Sequence, residues 1–138
     1  MEETHPRPLL VLSGLFLIAL IVRVLYFIEL SQLPYFDIIL PVYDHFNFDQ
    51  GALSFAAGDV LARSPNNSYS PLYKYFLGSL YFVFGRNFYV VYGLQFTLGA
   101  FGAVLIFLIG KRLFDARVGL LAFAMFSLYS TEIIYEGI

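Results

Sequence analysis

The sequence predicts an all-α integral membrane protein, with about three membrane-spanning helices and short interfacial helices in a long first outer loop. Of its 138 residues, 59% are hydrophobic and only 13% are charged, and the mean hydropathy is +0.74. A soluble domain of this size needs a largely polar surface, which this composition does not supply. Three apolar stretches, at residues 8–30, 88–110 and 118–135, are long enough, or nearly so, to cross a hydrocarbon core of about 30 Å.

The first apolar stretch, residues 8–30, is predicted to be a spanning helix. A cleaved signal peptide is the alternative, but the apolar run is longer than a typical signal core and Arg23 interrupts it. No cleavage site with small residues follows. Arg23 falls toward the far side of the span, so its charge must either snorkel to the interface or find an anionic partner.

Residues 31–87 form the predicted outer loop, because prolines and aspartates replace the apolar run there. Asp49 to Ala57 has the pattern of a short helix, with Asp49 as the N-cap and Gly58 as the residue that ends it. Residues 65–68 are predicted to form a turn.

Residues 71–85 have a helical pattern but give only about 22 Å of helix, which is too short to cross the hydrocarbon core. Most of the large apolar residues fall on one side, and a line containing Lys74, Gly78 and Tyr81 falls on another. Such a helix lies in the membrane interface or against other helices. We therefore expect that it does not cross.

The turn at residues 111–117 sets the expected topology, since it carries Lys111, Arg112 and Arg117 out of the eight Lys and Arg residues of the chain. The positive-inside rule places this turn in the cytoplasm. With residues 8–30, 88–110 and 118–135 as the spans, residues 31–87 and the end of the third span then lie on the outer face.

Composition also excludes several kinds of chemistry. The net charge of −2 argues against nucleic-acid binding. The absence of cysteine excludes disulfides and thiol nucleophiles, and two histidines cannot build a zinc site alone. Catalysis would therefore depend on carboxylates, which can accept a proton from a hydroxyl group or bind a divalent cation, while nearby cations can bind a lipid phosphate. The alternative is an ordinary solvated loop with no chemistry.

The chain contains an ordered series of short motifs. They are Asp44 with Phe48 four residues later, Gly58-Asp59, Pro71-Leu72-Tyr73, Phe84-Gly85, Gly110 to Phe114, and the arginine-bearing first helix at Ala19 to Arg23. This series resembles the start of the GT-C membrane glycosyltransferases, and in particular the bacterial relatives of dolichyl-phosphate-mannose protein mannosyltransferases and of the lipid A aminoarabinose transferases. Phe48 departs from the family's more usual tyrosine.

The resemblance implies an enzyme that takes a sugar from a polyprenyl-phosphate donor at the outer face of the bacterial inner membrane. The acceptor would be a lipid, a glycan or a protein. No firm metal site is expected in this chain, although the resemblance allows for a divalent metal in the full-length enzyme. The site residues that it implies are Asp44 as general base, Asp37 as the alternative base, Glu136 as a second acid, and Lys74, Arg63 and Arg23 as cations for the donor phosphate.

Family members carry more spans, so we expect this chain to be the N-terminal part of one GT-C transmembrane domain and to be inactive alone. The alternative is a small multi-pass membrane subunit without catalytic activity, which associates through the small residues Gly99 and Ala103. A transporter fragment is less consistent with the sequence, because no span has a polar middle broken by Gly or Pro.

Overall fold

The computed structural model describes residues 8–34, 36, 44–60 and 70–136, with the side chains of Pro8, Glu132, Tyr135 and Glu136 excepted. Helices make up 86% of these described residues, and no strand occurs among them. The chain divides into two units, Met1–Leu33 with Leu94–Ile138, and Pro34–Gly93. The helices are α1 (Pro8–Ser31), α2 (Asp44–Ala56), α3 (Pro71–Phe84), α4 (Phe88–Leu113), α5 (Ala116–Leu128) and α6 (Ser130–Glu136).

The first unit contains α1, most of α4, α5 and α6. Helices α1 and α4 are both long enough and apolar enough to cross a membrane. On α1, Leu17, Ile18 and Leu25 are exposed, although large apolar side chains normally avoid water. The other sides of α1 and α4 form a hydrophobic core together with α5. Its buried members are Leu15, Ala19, Ala100, Ala103, Phe107 and Phe123.

A close helical hairpin joins α4 to α5. The carboxylate of Asp115 caps α5, because its Oδ1 accepts hydrogen bonds from the backbone N–H groups of Arg117 at 2.7 Å and Val118 at 2.9 Å. Gly110 on α4 and Gly119 on α5 then allow the backbones of these two helices to approach each other closely. A Cβ atom on Gly119 would stand only 2.7 Å from the carbonyl oxygen of Phe107, so the hairpin has no room for a side chain there.

The third apolar stretch, residues 118–135, is not one continuous helix as predicted. Tyr129 is extended, with φ −73° and ψ 99°, and separates α5 from α6. The 13 residues of α5 span about 20 Å, which is less than the thickness of a hydrocarbon core. No proline or glycine marks this break in the sequence, and the third span stays a prediction.

The second unit contains α2, α3 and the first residues of α4. The prediction that Asp49 caps a helix over residues 49–57 was wrong, because α2 begins at Asp44 and Asp49 lies buried within it. Gly58 does follow the end of α2 as predicted, with φ +102°, a conformation that glycine adopts at low cost. Asp44 lies in the first turn, where the helix dipole favours a negative charge.

Helix α3 matches the predicted extent of residues 71–85 to within one residue. Its first residue is Pro71, which suits the start of a helix because it has no N–H group to satisfy. The buried side of α3 is the line that includes Lys74, Gly78 and Tyr81. This side packs on α2, while Phe82 on the other side is 74% exposed.

Candidate functional site

The predicted general base, Asp44, is the first residue of α2, and its side chain is exposed. The next residue, His45, is half-buried. Burial lowers the pKa of the His45 imidazole below its usual value of 6.5, and the neighbouring Asp44 carboxylate opposes that shift. His45 is therefore mainly neutral at pH 7, and Asp44 presents its carboxylate to the exterior of the unit.

A buried polar cluster lies five residues along the same helix. Asp49 is only 3% exposed. Its Oδ1 atom accepts hydrogen bonds from the Tyr81 hydroxyl at 2.8 Å and from Arg86 Nε at 2.8 Å, and its Oδ2 accepts one from Arg86 Nη2 at 3.1 Å. The guanidinium group also lies over the Phe88 ring, 4.7 Å from its centroid. This cluster thus connects α2 to α3, to the residues that follow α3 and to the first turn of α4.

The protonation states of the donors in this cluster are fixed over the physiological range. Burial, and then the hydrogen bond to Asp49, raise the pKa of the Tyr81 hydroxyl far above its usual value. The hydrogen bonds to Asp49 are the largest cause that raises the pKa of Arg86. Tyr81 therefore stays a neutral donor and Arg86 stays a cation, as a charge-assisted, two-pronged contact with a carboxylate requires.

Lys74, the main predicted cation for the donor phosphate, is buried on α3 with 3% of its surface exposed. Loss of hydration lowers the pKa of its amine below the usual 10.5. A phosphate group would therefore have to enter the α2–α3 unit to reach this amine. Lys74 and Asp44 belong to the same unit of the chain.

Arg23 belongs to the other unit and does not snorkel, because it is fully buried. Its Nη1 atom lies 3.3 Å from the carbonyl oxygen of Ala19, and its guanidinium carbon lies 5.7 Å from the centroid of the Phe126 ring on α5. Arg23 is thus held inside a bundle of apolar helices, where an ionisable group is a candidate for function.

The remaining predicted site residues are outside the described side chains. Asp37 and Arg63 fall between the described ranges, and Glu136 ends α6 without a described side chain. Of the predicted site residues, the described part of the second unit therefore contains only Asp44 and Lys74.

Sequence reasoning missed the cluster of Asp49, Tyr81 and Arg86. A signal was present, because Asp49 shares one helical face with Ala52 and Ala56, at spacings of three and seven residues. A carboxylate on an otherwise apolar face indicates a buried partner. Arg86, two residues beyond the end of α3, is a cation that could form this buried ion pair with Asp49.

No group of three or more His, Cys, Asp or Glu residues that could hold a metal ion occurs in the described part of the chain. No protein-family model, curated protein or solved structure matches this chain. The resemblance to GT-C glycosyltransferases therefore stays a prediction that depends on the order of the short motifs.

Proposed function

We propose that this chain is part of a GT-C-type membrane glycosyltransferase. It would transfer a sugar from a polyprenyl-phosphate donor to a lipid, glycan or protein acceptor at the outer face of a bacterial inner membrane. The observation that carries the proposal is the placement of Asp44, the aspartate of the family-like motif. Its carboxylate is exposed at the start of α2, on the same unit as the buried cation Lys74.

The membrane part of the proposal is supported by the exposed apolar faces of the long helices. On α4, Leu98, Phe101 and Leu105 are all more than half exposed, at spacings of three and four residues, which is the pattern of a continuous stripe along a helix. Acyl chains would cover this stripe. In the proposed topology α1 and α4 span, residues 118–135 provide a third crossing, and α3 stays on the outer face because its 14 residues give only about 21 Å.

The proposed reaction inverts the sugar carbon that is bonded to the donor phosphate. The acceptor oxygen forms the new bond to that carbon as its proton passes to the Asp44 carboxylate, and the bond to the phosphate oxygen breaks. The polyprenyl phosphate leaves with the electron pair, so cations near it lower the energy of the transition state. Lys74 is the described candidate for this role, with Arg63 and Arg23 as further candidates. Asp37 is the alternative base, and Glu136 is the proposed second acid.

The experiment uses membranes that contain the full-length protein, with radiolabelled undecaprenyl phosphate that carries mannose or aminoarabinose. The release of free undecaprenyl phosphate reports transfer without knowledge of the acceptor. Loss of a general base typically costs about 10²–10⁴-fold in rate, so Asp44→Asn should reduce release by at least about 100-fold.

Asp115→Asn is the matched control, because asparagine retains the oxygen that caps α5. The control should release undecaprenyl phosphate at the wild-type rate. Equal release by wild type and Asp44→Asn would remove Asp44 from the reaction. No release by wild type from either donor would favour the alternative, a membrane subunit without catalytic activity.

The subunit alternative has less support than the sequence suggested. Ala103, half of the small-residue step proposed for association, is fully buried in the core of its own unit. It therefore has no surface left for a second protein. If association through this step were the function, Gly99→Leu would be the most damaging change, whereas the enzyme proposal makes Asp44→Asn the most damaging.

A further inference from the structure

We infer that Asp49 is a positioning residue, whose contacts with Arg86 and Tyr81 fix the helix that carries Asp44. Asp49 is five residues beyond Asp44 on α2, its carboxylate is 4% exposed, and it contacts groups from the α3 helix and from the residues that follow it. The role in catalysis depends on the proposed function, but the mechanical role does not.

The cost of burying this carboxylate argues that the cluster has a role beyond stability. Two charges lose hydration when they pair in a protein interior, and apolar residues of similar volume often give equal or greater stability. The 39% exposure of the Arg86 side chain moderates that cost for the cation, but Asp49 has no such access to water. Three directed hydrogen bonds restrict α2 to one position relative to Tyr81 and Arg86, and apolar contacts do not.

The rest of the α2–α3 contact consists of small residues and aromatic rings. Ala52 and Gly78 are small and buried, and small residues give a smooth surface along which helices can shift. Two edge-on aromatic pairs oppose such a shift: Phe48 with Tyr73, and Phe55 with Tyr75. Ring pairs tolerate a range of distances and offsets, whereas the hydrogen bonds of Asp49 fix distance and angle near the start of α2, where Asp44 lies.

The cluster also reaches the first turn of α4, the long apolar helix. Arg86 lies over Phe88, the first residue of α4, while its Nε and Nη2 atoms bind Asp49. In this way one carboxylate holds α2 against α3 and against the start of α4. Asp44 would then keep a fixed place within the second unit, as a general base needs.

The mechanical test uses the absence of cysteine from the chain. Single cysteines replace Asn47 near the start of α2 and Val83 near the end of α3, two positions that are not buried. They carry nitroxide labels in a full-length protein from which any cysteine beyond this chain has been removed. Pulsed electron spin resonance should give one narrow distance distribution for wild type and for Asp115→Asn. Asp49→Asn and Arg86→Gln should broaden it or shift its centre. Unchanged narrow distributions in both variants would overturn the inference.

The catalytic test separates positioning from binding. Misplacement of a reacting group by about 1 Å can cost about 10²-fold, so Asp49→Asn should lower kcat by about 10–100-fold while the KM for the donor stays within about twofold. Arg86→Lys, which keeps the charge without the two-pronged contact, should recover part of the loss. Tyr81→Phe, which leaves the ion pair in place, should have a smaller effect than Asp49→Asn.

The outcomes distinguish this inference from the proposed function. Broadened distances in a protein that transfers no sugar, even as wild type, would support the mechanical role and contradict the glycosyltransferase proposal. Wild-type kcat in Asp49→Asn, from an active enzyme with a narrow distance distribution, would contradict the inference alone. A loss of folded protein with unchanged kcat per folded molecule would assign Asp49 to stability only, which also overturns the inference.

Discussion

The aromatic ring of Phe55 on α2 fills the space beside Gly78 on α3, where any other residue would carry its Cβ atom. That atom would stand 2.6 Å from Phe55 Cδ1 and 2.9 Å from Phe55 Cβ, closer than van der Waals contact allows. The ring also meets Tyr75 edge-on, with 5.3 Å between the centroids. The close packing of α2 on α3 therefore depends on a glycine at position 78.

Gly78→Ala is expected to destabilise the protein by about 1–3 kcal/mol, because overpacking outweighs the better helix propensity of alanine. The free energy of unfolding in detergent, from titration with sodium dodecyl sulfate, is the measurement. Gly93→Ala is the control, since nothing lies within 4 Å of a Cβ atom there. A double change with Phe55→Ala should cost less than the sum of the single changes; simple additivity would contradict the steric account.

Gly119→Ala is expected to be more damaging than Gly78→Ala. The atoms that a Cβ on Gly119 would meet include the Phe107 carbonyl oxygen at 2.7 Å and the Lys111 amide nitrogen at 2.9 Å. These are backbone atoms, so relief requires that α4 and α5 move apart, whereas the nearest atom to a Cβ on Gly78 is a ring atom of Phe55 that side-chain rotation can displace.

Gly102→Ala is the matched control on α4, because its nearest neighbour, the Phe126 ring, is 3.7 Å away. The measurement is again the free energy of unfolding in detergent. A cost for Gly119→Ala no larger than that of Gly102→Ala would show that α4 and α5 do not approach closely.

Lys74→Met is expected to remove a pH-dependent part of the stability, because burial disfavours the charged form of the ammonium group that the variant lacks. Desolvation lowers the pKa of the folded-state amine below 10.5. Below that lowered pKa both states bind the proton, and the full penalty applies. As pH rises from the lowered pKa toward 10.5, the folded state loses its proton first, so the wild type gains stability.

The free energy of unfolding of the methionine variant, relative to that of wild type, should therefore decrease as pH rises through that window. The measurement is the unfolding free energy of variant and of wild type at pH 7 and at pH 10. The difference between the two proteins at each pH removes the contribution of the other groups that titrate. A difference that stays constant or grows with pH would contradict the effect of burial on Lys74. Under the proposed function the same variant should bind the donor more weakly.

Labelling from one side of the membrane tests the proposed topology. The chain has no cysteine of its own, so single cysteines at Ala57 and Phe114, both exposed, report the outer loop and the basic turn. In spheroplasts, an impermeant maleimide should label Ala57→Cys directly and Phe114→Cys only after permeabilisation. Labelling of Phe114→Cys from outside would mean that α3 crosses the membrane.

The long apolar elements could be predicted from sequence because their signal extends over many residues. Helices α1, α3 and α4 start at the predicted residues, Pro8, Pro71 and Phe88. The start of α2 was misplaced because an aspartate is a good cap as well as a good ion-pair partner. The apolar face that Asp49 shares with Ala52 and Ala56 favoured the ion-pair role, but only the position of Arg86 in space identifies the partner.

The candidate site could be predicted only in part for a related reason. The exposure of Asp44 agrees with its position at the edge of a loop, whereas the burial of Lys74 depends on the way α3 packs on α2. Lysine is normally found at the surface, so the sequence favoured an accessible amine. The interruption at Tyr129 had no sequence signal at all.

The burial of Arg23 against Phe126 has a consequence for the biosynthesis of the protein. Phe126 is synthesised roughly 100 residues after Arg23 and, at roughly 5–20 residues per second, about 5–20 s later. During this interval the guanidinium group of α1 lacks its aromatic neighbour. If α1 spans a membrane as proposed, truncation before residue 126 should leave this helix less stable there and more readily degraded than in the longer chain.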